Sequence, residues 1–203
     1  MKHKLENIGI AVLAAGNSSR MGQPKQLLKW GNETLIGNAV KTALATTAKD
    51  VFVVLGANYQ LIMKEVEKLP IQILKNDDWQ EGLGSSIACT AKFCENNAKN
   101  MDGLIFTLAD QPLITSGYLQ KMITNFQVGY DQIVATEYES GKKGVPALFD
   151  KIYFSELSAI TGDDGAKSLL IKHTSNVSTM LSEANKTDID TLEDYHKLRP
   201  SHS

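Results

Sequence analysis

Residues 8–25 read IGIAVLAAGNSSRMGQPK, an apolar run that passes directly into a loop of small and polar residues. The run Ile8–Leu13 has the length of a strand and is apolar at consecutive positions, as in strands buried on both faces of a parallel sheet. Gly16 permits unusual dihedrals, and successive N–H groups in such a loop can hold phosphate oxygens. Arg20 and Lys25 add positive charge, and Arg20 is one of only two arginines in the chain. The segment predicts a phosphate-binding loop beyond the carboxyl end of a strand.

Further apolar runs of strand length alternate with amphipathic stretches along the rest of the chain. This alternation predicts right-handed crossovers and an α/β fold: a three-layer, doubly wound, mostly parallel sheet. Besides the first, strands are expected at Val51–Leu55, Ile71–Leu74, Leu104–Leu108, Ile133–Ala135, Val145–Phe149 and Asn176–Met180. Helices are expected at Thr34–Thr47, Tyr59–Leu69, Leu83–Cys94, Ser116–Phe126, Lys151–Ile160, Gly165–His173 and Leu192–Leu198.

Length and composition limit the classes of protein to consider. A chain of 203 residues without a linker or repeat suits a single domain. The formal net charge of -2 offers no basic excess, so neither a nucleic acid nor a membrane is an expected partner. No apolar run suits a signal peptide or a membrane span, which predicts a cytoplasmic protein. Cys89 and Cys94 fall on different faces of one predicted helix and are expected to be buried or half-buried thiols.

Two familiar phosphate-binding patterns are absent, and a third is present. The spacing from Gly16 to Gly22 is one residue too long for a P-loop, and there is no dinucleotide fingerprint. Residues Leu13–Lys25 instead resemble the L-A-A-G-x-S-x-R-M-G-x-x-K signature of the nucleotidyltransferases of the molybdenum cofactor. They are most similar to the cytidylyltransferase branch, because Ala15 stands where guanylyltransferases typically show a second glycine. The resemblance implies a Rossmann-like sheet of the nucleotidyltransferase type, and it assigns triphosphate binding to Leu13, Ala14, Ala15, Gly16, Arg20 and Lys25.

The segment Glu81–Ser86 precedes a predicted helix. Ser85 and Ser86 can cap that helix, and an ordinary N-cap is the simpler interpretation of the residues alone. In the family that the chain resembles, a similar segment contacts base and ribose, which implies nucleotide-binding roles for Gly82, Ser85 and Ser86. Gly84 replaces a serine of the family pattern, so a contact from that side chain is not expected.

Acidic residues follow the fourth strong strand and recur near the C-terminus. Asp110 faces the crevice of the first loop, where hard oxygen ligands favour Mg²⁺, although aspartate is also common in turns. Asp188 and Asp190 point the same way on an extended segment, while Thr191 and Asp194 can form a capping box for the last helix. The resemblance makes Asp110 and Asp190 the ligands of Mg²⁺, and it makes Arg20, Lys25 and Asp110 the catalytic residues.

Two later segments, Gly144–Phe149 and Gly162–Lys167, are typical of a turn followed by a strand or helix. Their similarity to G-x-P-x-x-F and G-D-x-G-A-R segments of the family implies acceptor-binding roles for Gly144, Pro146, Asp163, Gly165 and Lys167. Lys167 stands where arginine is common, which weakens bidentate binding of an anion.

Together these features predict a magnesium-dependent transfer of CMP from CTP to molybdopterin or the molybdenum cofactor, with release of pyrophosphate. The nucleotide-binding half is expected at about 1–112 and the acceptor-binding half at about 113–203. A molybdenum hydroxylase that receives the product is an implied partner. Two alternatives stay open: a nucleotidyltransferase for a sugar phosphate or methylerythritol phosphate, and a non-catalytic accessory protein of a molybdenum enzyme.

Overall fold

The computed structural model describes residues 7–18, 21–98, 100–182 and 188–199. Arg20, to which the sequence assigns triphosphate binding and catalysis, lies outside these residues. The described strands are β1 (Ile8–Leu13), β2 (Lys29–Trp30), β3 (Glu33–Thr34), β4 (Asp50–Leu55), β5 (Gln72–Lys75), β6 (Gly103–Leu108), β7 (Ile133–Glu137), β8 (Lys143–Asp150) and β9 (Val177–Leu181). The described α-helices are α1 (Leu35–Leu44), α2 (Tyr59–Val66), α3 (Leu83–Asn97), α4 (Ser116–Asn125), α5 (Phe154–Ser158), α6 (Lys167–Lys172) and α7 (Leu192–Leu198).

A seven-stranded sheet in the order β5-β4-β1-β6-β8-β7-β9 runs through the molecule. β1 pairs in parallel with β4 on one side and with β6 on the other, and all six of its residues are buried. β8 is antiparallel to both of its neighbours, while β7 and β9 are parallel to each other. The predicted α/β class with a mostly parallel sheet is therefore confirmed.

The antiparallel strand follows from the short connection between β7 and β8. Five residues, 138–142, join the two strands, which is enough for a hairpin and too few for a parallel crossover. Gly141 has a φ of +73°, and its N–H donates to the carbonyl of Tyr138 over 2.7 Å. The tip of this hairpin lies at the same edge of the sheet as the carboxyl ends of β1 and β6, since β8 descends from it beside β6.

Helices cover both faces of the sheet. On one face α1, α2 and α4 pack through residues such as Ile36, Ile62 and Met122, all buried, against the even-numbered residues of β1 and the odd-numbered residues of β4. On the other face α3, α5 and α6 pack against Phe106 and Phe149, whose rings meet edge to face with centroids 6.0 Å apart. Burial on both faces explains why the central strands are apolar at consecutive positions.

A third apolar cluster ties the C-terminal segment to the small β2–β3 hairpin. It contains Met21, Trp30, Leu35, Ile189 and Tyr195, all buried. The Tyr195 hydroxyl donates to the carbonyl of Lys29 over 2.7 Å. The predicted capping box of α7, formed by Thr191 and Asp194, is present. The cluster and the cap together position the acidic segment 188–190.

The short elements depart from the sequence-based predictions. The β2–β3 hairpin was not predicted, since two-residue strands show no periodicity. The helix expected at Lys151–Ile160 begins as a 3-10 turn at Lys151–Tyr153, where the Asp150 carboxylate accepts from the Ile152 N–H over 3.1 Å. None of the described helices is long and apolar enough to cross a membrane.

The two cysteines, both on α3, provide a test of this packing. Cys94 is buried, and burial raises the pKa of its thiol to about 12; burial also raises the pKa of the half-exposed Cys89 thiol. Because burial disfavours the thiolate, we expect Ellman's reagent at pH 8 to modify Cys89 slowly and to leave Cys94 unmodified until the protein is unfolded. The variant Cys89→Ser isolates the Cys94 signal. Rapid stoichiometric labelling of this folded variant at pH 8 contradicts the packing.

Candidate active site

The loop that follows β1 is held from inside the protein by a buried glutamine. The Gln26 side chain is 3% exposed, and its Nε2 donates to the carbonyl oxygens of Ala14 (3.0 Å) and Gly16 (2.7 Å). Ser18 has a φ of +56°, and its Oγ accepts from the Lys25 N–H over 3.1 Å. These contacts fix both ends of the loop. Gln26 was not predicted to have a role, because a glutamine in a polar stretch gives no sign of its burial.

Neighbouring strands support the same loop. The Ala14 N–H donates to Val54 O over 2.9 Å, and the Ala57 N–H donates to Ala15 O over 2.9 Å. Gly56 is required here, since a Cβ at this position would lie 2.5 Å from the Cβ of Trp79 and 3.0 Å from that of Ala15. Trp79 therefore packs directly across the β4 end and forms a wall beside the loop, a contribution that sequence analysis missed.

A cleft of about 570 Å³ opens between this loop, the start of α3 and the end of β6. We call it the first cleft. The end of β1 and the start of the loop contribute the five consecutive residues 13–17 to its lining, and Lys25 at the end of the loop and Asp110 after β6 also face it. Its lining residues are Leu13, Ala14, Ala15, Gly16, Asn17, Lys25, Gln26, Leu35, Trp79, Gln80, Gly82, Leu83, Ser86, Leu108, Ala109, Asp110 and Asp163.

The two serines at the start of α3 do not cap the helix, contrary to the interpretation from residues alone. The N-cap is Gly82, with a φ of +92°, and both serines lie within the first turn. Asn76 donates through Nδ2 to Ser85 Oγ (2.8 Å) and Ser86 Oγ (3.0 Å). Ser85 Oγ in turn donates to Gly82 O over 2.8 Å. Both side chains are thus buried and oriented by Asn76, and only Ser86 lines the first cleft.

A loop from the second half of the chain closes over the start of α3. The Gly84 N–H donates to Gly162 O over 2.8 Å, and a Cβ on Gly84 would lie 2.8 Å from that oxygen and 2.7 Å from Ile160 Cγ2. This contact explains the glycine where the family pattern has serine. It also brings Asp163, which the resemblance assigned to the acceptor side, into the lining of the first cleft.

The acidic residues at 110 and 190 meet the basic residue of the first loop. Lys25 Nζ forms an ion pair with Asp110 Oδ2, lies 3.6 Å from Asp190 Oδ1 and donates to Ile189 O over 3.2 Å. The Ile189 N–H donates to Asp110 O over 2.9 Å, which joins the C-terminal segment to the end of β6. Three regions that are distant in the sequence therefore converge on one point.

The environment of Asp110 suits a divalent cation. Burial raises the pKa of its carboxyl group, the positive charge of Lys25 opposes that shift, and Asp188 and Asp190 reinforce it. Its Oδ1 is buried without a hydrogen-bond partner among the described residues, which is costly for a carboxylate. The described residues contain no cluster of three or more acidic, histidine or cysteine side chains that could hold a metal. Two carboxylates nevertheless fit Mg²⁺, which commonly takes one or two from the protein and the rest of its oxygens from phosphates and water.

A second cleft of about 720 Å³ lies beside the first, and Leu83 and Leu108 line both. Its wall is formed by the β7–β8 hairpin tip, the start of β8 and α6. Of the predicted acceptor-binding residues, Gly144 and Lys167 line it, while Pro146 and Gly165 line neither cleft among the described residues. Its lining residues are Leu83, Leu108, Gln111, Tyr138, Glu139, Ser140, Lys142, Lys143, Gly144, Val145, Ala147, Asp164, Ala166, Lys167, Leu170 and Asp188.

Gln111 connects this second cleft to the acidic segment. It is 4% exposed, and its Nε2 donates to Asp188 Oδ1 (2.7 Å) and to the hydroxyl of Tyr138 (3.1 Å). Consecutive residues thus serve the two clefts, with Asp110 lining the first and Gln111 the second. The bridging role of Gln111 was not predicted, since it depends on residues 27 and 77 positions away in the sequence.

This arrangement agrees with the comparison to known families. The family model described as "MobA-like NTP transferase domain" matches residues 10–177, which is most of the chain. The chain belongs to this family. It is a nucleotidyltransferase, as the sequence predicted.

Curated relatives of this MobA-like transferase carry several different names. The "Nicotine blue oxidoreductase" of Paenarthrobacter nicotinovorans is 28% identical over 197 residues, which is 92% of this chain and 94% of that protein. The "Purine catabolism protein PucB" of Bacillus subtilis is also 28% identical and covers 92% and 93% of the two chains. The "Molybdenum cofactor cytidylyltransferase" of Escherichia coli is 28% identical over 115 residues, 57% of each chain.

Solved structures show the same fold over nearly the whole MobA-like transferase. A mycobacterial homologue of Rv0371c, from strain JC1, is 30% identical with a TM-score of 0.82, and the match covers 95% of this chain and 94% of that one. The Mycobacterium tuberculosis protein Rv0371c in complex with manganese is 25% identical with a TM-score of 0.77, covering 95% and 98%.

The close contact at Gly84 leads to a stability prediction. In Gly84→Ala the added Cβ meets backbone atoms of residues 161 and 162 at 2.8–2.9 Å, so we expect a loss of about 1–3 kcal/mol in the free energy of unfolding. The matched control is Gly117→Ala in α4, where the nearest atom to an added Cβ is 3.8 Å away. This control should be neutral or stabilising by up to about 1 kcal/mol. Urea unfolding of both variants measures the difference, and equal stabilities would refute the contact.

Proposed function

We propose that this MobA-like transferase acts in the cytoplasm and transfers CMP from CTP to molybdopterin or the molybdenum cofactor, with release of pyrophosphate. The observation that carries the proposal is the convergence of Lys25, Asp110 and Asp190 in the first cleft, directly beside a second cleft of suitable size for an acceptor. The cytidylyltransferase name of the Escherichia coli relative and the sequence resemblance support the choice of nucleotide and acceptor.

The first cleft is the site proposed for the nucleotide. Leu13, Ala14, Ala15 and Gly16 give the triphosphate close access to the backbone, because their side chains are small or, for Leu13, packed into the core. Arg20 and Lys25 neutralise the phosphate charge. Gly82 and Ser86 line this cleft at the start of α3 and contact base and ribose, while Ser85 supports that position from behind through Asn76, which also holds Ser86.

Asp110 and Asp190 are the residues that would hold Mg²⁺. When bound, the ion neutralises charge on the reacting phosphates and acts as a Lewis acid. Asp110 suits this role because its unpartnered Oδ1 requires a cation or donor. Asp190 is kept near it by the Ile189–Asp110 hydrogen bond and by the apolar cluster around Ile189.

The reaction forms one phosphorus–oxygen bond and breaks another. A phosphate oxygen of the acceptor attacks the α-phosphorus of CTP, the bond from the α-phosphorus to the bridging oxygen breaks, and pyrophosphate leaves with the electron pair. Such transfers depend on positioning and charge neutralisation more than on covalent catalysis by the protein. Lys25 and Arg20 stabilise the departing pyrophosphate, and the shared wall at Leu83 and Leu108 keeps acceptor and nucleotide adjacent.

The second cleft is proposed for the acceptor, and this assigns a role to each half of the chain. Apart from Asp163, the first cleft is lined by residues of the half at 1–112. The second cleft is lined mainly by residues of the half at 113–203. Gly144 and Lys167 contact the acceptor directly. Pro146 and Gly165 shape the surrounding backbone, and Asp163 contacts the nucleotide rather than the acceptor. A molybdenum hydroxylase would receive the product.

The deciding experiment measures pyrophosphate release by the purified protein with Mg²⁺ and labelled CTP, GTP or UTP. The acceptors are molybdopterin, the molybdenum cofactor, a panel of sugar phosphates and methylerythritol phosphate. We expect turnover with CTP and molybdopterin or its molybdenum form, with GTP slower by at least about tenfold. Turnover with a sugar phosphate or methylerythritol phosphate alone would show a different transferase. Tight binding of the cofactor without pyrophosphate would show an accessory protein.

The role of Asp110 is tested by Asp110→Asn in the same assay. We expect kcat to fall about 10²–10³-fold, because a charge that acts on the reacting phosphates is removed while the side-chain volume is kept. The matched control is Asp131→Asn, which lies at the opposite end of the sheet and is exposed. Asp131 has a φ of +52°, which asparagine tolerates. An Asp110 variant as active as this control contradicts the assignment.

The role of Lys167 is tested by its effect on the acceptor. We expect Lys167→Met to raise the KM for the acceptor by roughly tenfold and to leave the KM for CTP unchanged, because a charge-assisted contact in the second cleft is lost. Lys167→Arg should keep or improve acceptor binding, since arginine grips a phosphate in two places. Lys64→Met on α2 serves as the control for loss of one surface charge. Equal rises in the KM for the acceptor and the KM for CTP would show that Lys167 does not act specifically on the acceptor.

A further inference from the structure

The side chain of Lys25 ends among three oxygen atoms from two parts of the chain. It forms an ion pair with Asp110 Oδ2, approaches Asp190 Oδ1 to 3.6 Å and donates to Ile189 O over 3.2 Å. The side chains of Lys25 and Asp110 are only 18% and 17% exposed. A compact positive charge thus lies between the two carboxylates proposed for the metal, in a partly buried oxygen-rich position.

The same position cannot hold Lys25 and a divalent ion together. Hard divalent cations prefer oxygen ligands such as carboxylates and backbone carbonyls. Here the compact ammonium of Lys25 contacts these oxygens in place of a metal ion. At a separation of a few ångströms in a partly buried site, an ammonium and a divalent ion repel each other strongly. Entry of the metal therefore requires the ammonium to leave.

We propose that Lys25 occupies the cation position of this site until a triphosphate binds, and so makes binding of the divalent metal depend on the nucleotide. The inference rests on the proposed function, which places the metal on Asp110 and Asp190. Lys25 also lines the first cleft, where a bound triphosphate would offer a second anionic partner. The flexible side chain of Lys25 allows its ammonium group to move to that partner.

This arrangement couples the two ligands. The nucleotide draws Lys25 away and exposes the carboxylates, and the metal, once bound, prevents Lys25 from returning. Because coupling of two binding equilibria is reciprocal, the metal raises nucleotide affinity by the same factor. Without nucleotide, Lys25 stabilises the fold by compensating the buried charge of Asp110.

The test is Mn²⁺ binding without any nucleotide, measured by loss of the free Mn²⁺ signal in electron paramagnetic resonance. We expect Lys25→Met to bind Mn²⁺ at least about tenfold more tightly than the wild type, equivalent to about 1.4 kcal/mol. Lys29→Met, an exposed lysine with the same change in net charge, is the matched control and should resemble the wild type. Lys25→Arg should bind Mn²⁺ no more tightly than the wild type, because a cation still fills the position.

Thermal unfolding gives an independent measurement that also detects loss of folding. Lys25→Met should unfold at a lower temperature than the wild type without metal, and millimolar Mn²⁺ should restore its midpoint more than it raises that of the wild type. A lysine with a purely structural role would not be replaced by Mn²⁺. The double variant Lys25→Met with Asp110→Asn should lose the gain in Mn²⁺ affinity, which locates the ion at Asp110.

The role of Lys25 and the assignment of the metal ligands are contradicted by different results. If Lys25→Met binds Mn²⁺ no more tightly than Lys29→Met, Lys25 does not occupy the metal position. This conclusion would hold whatever the activity of the wild type with CTP. If Asp110→Asn binds Mn²⁺ as tightly as the wild type when CTP is present, the proposed metal ligands are wrong as well. Tight binding by Lys25→Met that survives Asp110→Asn would place the ion at another site and overturn the inference.

Discussion

The parallel register between β1 and β6 is the constraint on which the active site depends. Leu13 pairs with Leu108 at the last position of both strands, and the Ala109 N–H donates to Leu13 O over 3.1 Å. The loop after β1 and the aspartate after β6 therefore emerge side by side. Lys25 and Asp110, 85 positions apart in the sequence, form an ion pair as a direct result. Any slip in this register would separate the loop after β1 from the acidic residues.

Most of the fold was predictable because the larger elements satisfy simple burial rules. Strands covered on both faces, such as β1, are apolar at every position, and helices covered on one face have a helical apolar period. The β2–β3 hairpin escaped prediction because two residues carry no period. The first residue of α3, Leu83, was predicted, but its N-cap was not: serines near a predicted helix suggest a cap, whereas Gly82 fills that position through close packing against residues 162–163.

The site was predictable in its charged residues and not in the residues that orient them. Lys25 and Asp110 stand out because charge in a glycine-bearing loop or at the end of an apolar strand is unusual, whereas the role of Asp190 was predicted from the family resemblance. Gln26 and Gln111 do not stand out, because burial of a neutral amide is decided by distant parts of the chain. For the same reason Asp163 reaches the first cleft through a contact between two loops that sequence spacing does not encode.

The hairpin between β7 and β8 forms one wall of the second cleft, the proposed acceptor site, and lies apart from the loop after β1. Its tip supplies Tyr138, Glu139, Ser140 and Lys142 to the second cleft, and these residues lie beyond the part of β8 that pairs with β6. Insertions or substitutions at such a tip alter the shape of one pocket while leaving the phosphate loop in place. Under the proposed function, a few substitutions on one surface hairpin would thus be enough to change which acceptor the enzyme uses.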